Sequence, residues 1–220
     1  MAAGRTPELT VMIADPDDGR RERLVTRLSA APGITVLDAT GDTTYAVNRI
    51  LDQLPDAVIL DVKLPDSAAL TACWAVQQHA PATQVILLAG PEDLETAYAA
   101  MTYGAAGCLQ RAEAVDQCLE AVRGVTRGEC LVPPLVAAKV LHDVDAWSRS
   151  PRAPFGRVSP LSATEREVLL ALAAGESPAD IAQRHEVTAR LVNLHTGYAV
   201  AKLQRHAERA RAAMATERSA

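Results

Sequence analysis

The sequence contains few aromatic residues and lacks the cysteine pattern of a metal site. Only 3% of its 220 residues are Phe, Trp or Tyr, although 49% are hydrophobic, so small and branched aliphatic side chains must form most of the core. Its cysteines, Cys73, Cys108, Cys118 and Cys130, form no Cys-x-x-Cys pair and have no histidine at ligand spacing. This argues against zinc and is typical of reduced thiols in the cytosol.

Long apolar segments are also lacking. The N-terminus has no apolar core of a signal peptide, and no uninterrupted apolar run reaches the roughly 18 residues that a membrane span needs. The charged fraction of 22% is that of a globular chain rather than a disordered one. We therefore expect a soluble, cytoplasmic protein with no membrane partner.

The net charge of −5 is unevenly distributed. Residues 1–145 carry 11 Lys and Arg against 20 Asp and Glu, whereas residues 146–220 carry 11 against 7. An acidic first part followed by a basic second part indicates two domains with different partners, although small helical domains often carry a few surplus arginines. If a polyanion is bound, we expect the basic part to bind it.

Short apolar runs and amphipathic runs alternate through the first 130 residues. Strands are predicted over 9–14, 34–37, 57–60 and 85–88 and around Cys108, and helices over 20–31, 45–54, 68–79, 94–103 and 115–125. Five strands joined through helices predict an α/β fold, a five-stranded parallel, doubly wound (flavodoxin-like) sheet. Sites in such folds lie at the carboxyl ends of the strands, where Asp15 and Asp61 are found.

The remainder of the chain is predicted to be helical after a linker. A helix over 134–147 precedes a Pro-, Ser- and Arg-rich segment, 148–160, that lacks apolar periodicity. Ser162 and Ser177 each have the spacing of a helix cap, and Thr188 caps a longer final helix. A short helix, a tight turn and a longer helix predict a second, smaller all-α helix-turn-helix domain. We expect domains at 1–130 and 161–220, with the linker helix and linker at 131–160.

The C-terminal pattern resembles the LuxR-type helix-turn-helix of NarL/FixJ-type response regulators. The resemblance spans residues 161–203 and includes the runs LSATEREVLLALAAG, IAQR, VNLH and KL. The first domain resembles the receiver domain of the same regulators in the run DVKLP at Asp61, the turn GAAG at 104–107, and GECLVPP before the linker helix. The resemblance implies a DNA-binding transcription regulator with DNA, a homodimer partner and a sensor kinase or other protein as partners.

The resemblance implies that Asp61 is the phosphoacceptor. Receivers also use an acidic pair that holds Mg²⁺, a lysine and a movable hydroxyl group. Here Asp15 matches the first acid and Asp17 is the candidate for the second, because Pro16 occupies the adjacent position. Asp15 and Asp61 are thus the candidate Mg²⁺ ligands, with Asp18 an alternative to Asp17.

The receiver site departs from the family pattern at three further positions. Arg111 stands at the lysine position, and a guanidinium binds phosphate as a planar fork rather than a point charge. Ala89 removes the hydroxyl, and Cys108 replaces the aromatic that accompanies the switch. We therefore predict an atypical receiver that needs no cofactor and no phosphorylation. Two alternatives stay open: a conventional phosphorylated regulator with a degraded site, or an interaction module that has lost DNA binding.

The second helix of a helix-turn-helix reads base edges with its exposed side chains. The predicted DNA contacts are Thr188, Arg190, Asn193, Leu194, Tyr198 and Lys202. Gly197 also falls on this outward face, whereas Leu191, Val192 and Val200 are predicted core. The tail after Leu203 is predicted to continue as helix, either as a dimer contact or as a solvated face. No Walker loop, GxGxxG, GxSxG or metal-ligand cluster supports an enzyme.

Overall fold

Five apolar segments form one parallel sheet in the computed structural model, which describes residues 8–65, 68–149 and 161–218. The strands are β1 (Leu9–Ala14), β2 (Ile34–Thr40), β3 (Ala57–Asp61), β4 (Gln84–Ala89) and β5 (Gly107–Gln110), in the order β2-β1-β3-β4-β5. This order is that of the flavodoxin-like doubly wound fold, which confirms the predicted class.

Helices cover both faces of the sheet because successive strand side chains point to opposite sides. The helices of this domain are α1 (Asp18–Ser29), α2 (Thr43–Gln53), α3 (Ala68–His79), α4 (Leu94–Thr102) and α5 (Ala114–Val125). Val11 and Ile13 pack in the cluster that contains α1 and α5, whereas Met12 and Ala14 pack in the cluster that contains α2, α3 and α4. The core therefore fills both sides of β1.

The predicted elements are all present, with differences at their ends. The bounds of β1 and α3 are as predicted, but α1 begins at Asp18 rather than residue 20, because the Asp17 side chain accepts a hydrogen bond from the Arg20 N–H and caps the helix. β2 continues to Thr40 through its pairing with β1. Of the predicted linker, residues 150–160 lie outside the described parts of the chain.

The C-terminal domain is helical, as predicted. After the linker helix α6 (Pro134–Arg149) come α7 (Ala163–Ala173), α8 (Pro178–Arg184) and the 30-residue α9 (Ala189–Arg218). Capping boxes start α7 and α8: Ser162 and Ser177 each accept the N–H of an acidic residue three positions on. The continuation of α9 beyond Leu203 is also confirmed.

One apolar cluster extends from the sheet into the helical domain. It joins strand residues such as Leu87, the linker-helix residue Val140, and Leu169 and Leu203 of α7 and α9. Asp145 of α6, buried although charged, forms ion pairs with Arg166 of α7. The two domains therefore share a packed interface through α6. In the described ranges, no helix has both the length and the apolar character to cross a bilayer.

The cap of α8 provides a test of the local fold. We expect Ser177→Ala to lower the free energy of unfolding by about 1 kcal/mol, because the Asp180 N–H loses its acceptor. Urea unfolding followed by circular dichroism measures the change. The matched control is Ser29→Ala, at the exposed end of α1, which should change it by less than about 0.5 kcal/mol. Equal effects of the two substitutions would contradict the capping role.

Candidate functional site

Asp15 and Asp61 lie side by side at the carboxyl edge of the sheet. β1 and β3 are adjacent, with Ala14 opposite Leu60, so the residues at the strand ends meet there. Both carboxylates are fully buried. A buried carboxylate is costly unless cations or hydrogen-bond donors surround it, so their partners decide what the site can do.

Arg20 of α1 bridges the two carboxylates. Its Nε lies 2.5 Å from Asp15 Oδ2, and its Nη2 lies 2.7 Å from Asp15 Oδ1 and 2.6 Å from Asp61 Oδ2. The Arg20 side chain is only 12% exposed. One guanidinium thus occupies the space between two carboxylates that, in the resemblance, would share a Mg²⁺ ion.

The start of α1 places Arg20 over the strand ends. The Asp17 N–H donates to Asp15 Oδ1 at 2.8 Å, and the Asp17 carboxylate accepts the Arg20 N–H at 2.7 Å. That hydrogen bond lowers the pKa of Asp17. The expectation that Asp17 joins the acidic pocket is wrong, because its side chain is 53% exposed and caps the helix.

Arg111, the predicted phosphate-binding residue, binds Asp61 instead. Its Nε lies 2.8 Å from Asp61 Oδ2, and its Nη2 lies 3.1 Å from Asp61 Oδ1 and 2.5 Å from Asp93 Oδ2. Partial burial lowers the pKa of Arg111, but the hydrogen bonds to Asp61 and Asp93 outweigh it and raise that pKa overall. The guanidinium is therefore charged and donates four hydrogen bonds to the carboxylates of Asp61, Glu92 and Asp93.

A second layer of charge surrounds this pair. Glu92 accepts hydrogen bonds from Lys63 Nζ at 2.6 Å and from Arg111 Nη1 at 3.0 Å, and the Lys63 bond lowers the pKa of Glu92 to about 2. The Lys63 N–H also donates to Asp61 Oδ1 at 2.7 Å. Every oxygen of the Asp61 carboxylate thus has two donors.

The site residues fit poorly as a Mg²⁺ site. Both predicted ligands, Asp15 and Asp61, direct oxygens at Arg20, and Asp17 is half-exposed at the start of α1 with its Oδ2 3.9 Å from Arg20 Nη1. No group of three acidic, histidine or cysteine side chains in the described ranges is arranged to hold a metal ion. Ala89 and Cys108 are buried, and neither supplies a charge or hydroxyl group to the site.

Sequence reasoning missed Arg20. The available signal was an arginine in the first turn of the helix that follows Asp15, since a residue there lies above the strand ends. The pattern alone does not distinguish it from the neighbouring Arg21, whose guanidinium binds Asp18 and the Asp15 carbonyl instead. The choice between them depends on where Asp17 starts the helix.

Part of the predicted DNA-reading surface of α9 lies against the receiver. Asn193, expected to be outward-facing, is 2% exposed, and its carbonyl accepts the Cys130 N–H at 3.0 Å. Gly197 packs so closely that a Cβ there would lie 2.6 Å from the Gly128 carbonyl oxygen. The expected outward orientation of both is therefore wrong in this arrangement, because the segment 128–130 covers them.

Other predicted contacts are divided between solvent and protein. Thr188 and Tyr198 are exposed, and Leu194 is half-buried. Arg190 is largely exposed, but its Nε lies 3.3 Å from the buried Glu129 of the receiver. Lys202 Nζ lies 2.6 Å from Glu165 Oε2, which ties α9 to α7. Whether these residues contact DNA stays a prediction.

The stripe assigned to the core is only partly correct. Val192 and Val200 are buried as predicted, but Leu191 is 39% exposed because it lies at the open side of α8 and α9. The tail, expected to be solvated or dimeric, packs on the receiver. Gln204 donates to the carbonyls of Met101 and Ala105, at 3.0 and 2.9 Å.

Two family models match the chain. The model of the response regulator receiver domain matches residues 11–123, and that of the bacterial regulatory proteins of the luxR family matches residues 159–215. The chain is 28% identical over 195 residues to the "Probable transcriptional regulatory protein NarL" of Mycobacterium tuberculosis H37Rv, covering 89% of this chain and 88% of the relative. It is 25% identical to the "Oxygen regulatory protein NreC" of Staphylococcus carnosus, covering 89% and 91%.

Solved structures agree on the fold. The response regulator RcsB of Salmonella typhimurium matches with a TM-score of 0.53 at 20% identity, over 90% of this chain and 93% of that one. Another match, with a TM-score of 0.52 at 19% identity over 90% and 92%, is a structure of two RcsB dimers bound to two parallel DNAs. Because the receiver model matches half of the sequence and the luxR model most of the remainder, the chain belongs to the DNA-binding response regulators that join a receiver domain to a LuxR-type helix-turn-helix.

Proposed function

We propose that this regulator controls transcription without Mg²⁺-dependent phosphorylation of Asp61. The observation that carries the proposal is the position of the Arg20 guanidinium, within hydrogen-bond distance of both Asp15 and Asp61. Phosphoryl transfer to a carboxylate needs a cation that offsets the charge on the transferring oxygens and an unencumbered attacking oxygen. Arg20 and Arg111 already consume both oxygens of Asp61.

The charge balance supports the same proposal. Asp15, Asp61 and Asp93 are faced by Arg20 and Arg111, so the buried carboxylates are largely neutralised before any ligand arrives. Mg²⁺ would have to displace a guanidinium that makes charge-assisted bonds to two carboxylates. Arg20 and Arg111 thus balance most of the charge of this site without a bound ion. Asp61 acts as a structural hydrogen-bond acceptor rather than a nucleophile.

Control then rests on whether α9 is docked or free. We infer that the regulator binds operator DNA as a homodimer, with Thr188, Arg190, Asn193, Leu194, Tyr198 and Lys202 at the groove. In the docked arrangement Asn193 and Gly197 lie against 128–130, so this face and a DNA groove compete for the same helix. A protein other than a kinase, or a small molecule, would then supply the input.

Treatment with a small-molecule phosphodonor tests the proposal. We expect acetyl phosphate or phosphoramidate with Mg²⁺ to leave the intact mass of the protein unchanged, because both Asp61 oxygens already accept hydrogen bonds from Arg20, Arg111 and the Lys63 N–H. A conventional receiver treated in parallel provides the positive control. Addition of one phosphoryl group that is lost in Asp61→Ala would overturn the proposal and restore the conventional alternative.

Removing the bridging guanidinium tests its role directly. In Arg20→Ala, the two buried carboxylates face one another without the bridging guanidinium. We therefore expect a loss of about 3 kcal/mol in the free energy of unfolding. Because the substitution vacates the space between the carboxylates, Mg²⁺ can bind there. Addition of about 10 mM MgCl₂, a concentration far above a weak Kd, should therefore restore part of the lost stability. Thermal unfolding with and without MgCl₂ measures both effects.

Arg23→Ala, on the exposed side of α1, is the control and should show neither the loss of stability nor the rescue by Mg²⁺. A wild-type protein that Mg²⁺ stabilises to the same degree as Arg20→Ala would refute the bridging role.

Gly197 provides a test of the docked arrangement. In Gly197→Ala, the added Cβ would lie 2.6 Å from the Gly128 carbonyl oxygen, so docking is disfavoured, while the free helix gains up to about 1 kcal/mol in propensity. We therefore expect several-fold tighter binding to operator fragments selected from genomic DNA. Gly19→Ala, whose Cβ would meet nothing closer than 3.4 Å, is the matched control. Unchanged or weaker binding by Gly197→Ala would contradict competition between receiver and DNA.

A further inference from the structure

Two connected cavities lie where the receiver, the linker helix and the helix-turn-helix meet. The inner one is an apolar recess of about 100 Å³ at the ends of β4 and β5, lined by Ala89, Ala97 and Cys108 among others. The outer one is a cleft of about 430 Å³ that extends to α5, α8 and α9. Both are lined by Cys108, Gln110, Pro133 and Pro134, so the recess opens from the cleft. The cleft is of the size of small-molecule sites in proteins.

The recess exists because the strand ends carry small side chains. Ala89 and Cys108 are 4% and 1% exposed, and these small side chains leave a space between the strand ends and Pro133 and Pro134 at the start of α6. Protein interiors contain few voids larger than a water molecule, and a purely apolar void stays dry. The recess therefore favours an apolar group of a few carbon atoms over water.

Asn193 supplies an unused polar group in the outer cleft. Its side chain is buried, lines the cleft, and makes no hydrogen bond to any residue of the described chain. Its amide atoms keep contact with solvent at the cleft, because the fully buried side-chain atom without a partner in the described ranges is His195 Nδ1. A ligand with a hydrogen-bonding group beside its apolar part would replace water at this amide.

The charge of the cleft selects the sign of the ligand. Glu113 just before α5, Glu120 of α5 and Glu176 before α8 line it, and no lysine or arginine does so within the described ranges. Glu176 is paired with Arg184, at 2.8 Å, and Glu113 accepts a hydrogen bond from Gln117. Glu113 and Glu120 form no ion pair with a lysine or arginine of the described ranges, so their carboxylates make the cleft acidic. Charge complementarity favours a cation.

We propose that this cleft binds a small organic cation with a compact apolar group, such as a branched alkylamine, and that binding holds the helix-turn-helix against the receiver. The walls come from both domains, since Glu113 and Cys108 belong to the receiver and Asn193 to α9. A ligand that binds only the docked arrangement weakens DNA binding, and DNA weakens ligand binding equally. This regulatory part rests on the proposed function.

Titration of the full chain with 3-methylbutylamine tests the site. We expect saturable shifts of the amide resonances of Cys130 and of the Asn193 side chain in nitrogen-proton correlation spectra. The neutral isostere 3-methylbutan-1-ol should bind with an affinity at least about fivefold lower, and 4-methylpentanoate should not bind. Equal binding of the three probes, or no saturable shift with the amine, would overturn the proposal.

Two sets of variants locate the binding. Glu113→Gln combined with Glu120→Gln, at exposed positions just before and within α5, should weaken amine binding about fivefold, whereas the matched Glu22→Gln on α1 should not change it. Ala89→Ile should fill the recess and abolish binding. An amine affinity that survives the glutamine pair unchanged would refute the site even if Ala89→Ile fails to fold.

A DNA-binding measurement separates the site from its regulatory role. With amine at ten times its Kd, the apparent operator affinity should fall, by up to about tenfold if only the docked arrangement binds the amine. Amine binding without any change in operator affinity would refute the coupling. Amine binding at this cleft by a chain that prefers no operator would instead refute the proposed function and leave the ligand site standing.

Discussion

The structure depends on one constraint: two carboxylates that end adjacent strands are fully buried and must be neutralised. Arg20 does so for Asp15 and Asp61 together, and Arg111 completes the shell of Asp61. A guanidinium is an always-charged, planar donor, so it satisfies several oxygens at fixed geometry without a bound ion. The edge of the sheet to which the resemblance assigns phosphoryl chemistry therefore holds a network of ion pairs between side chains of this chain.

The same edge of the sheet lies close to the interface between the two domains. Ala89 and Cys108 line a recess at the strand ends, and this recess opens from the cleft that Asn193 of α9 lines. The apolar cluster that runs from the sheet through α6 to α9 makes the two domains one packed unit. Under the proposed function, a signal that separates or tightens this interface changes the access of α9 to DNA.

Periodicity and capping residues predicted most of the fold, since both are local properties of the chain. They placed β1 and α3 at their observed ends, and they brought Asp15 and Asp61 to one edge of the sheet. The partners of those carboxylates were not predictable, because Arg20 reaches them only after Asp17 has set the start of α1. The burial of Asn193 was missed for a similar reason: helical periodicity does not reveal a neighbouring domain.

The arginine side-chain signals of the protein in nitrogen-proton correlation spectra test the central claim most directly. A guanidinium held between buried carboxylates exchanges its Nε proton slowly, so the account predicts a sharp, downfield Arg20 Nε–H resonance that does not change when MgCl₂ is added. An Arg20 signal at the chemical shift of surface arginines would contradict the account. So would an Arg20 signal that shifts saturably as Mg²⁺ replaces the guanidinium between the two carboxylates.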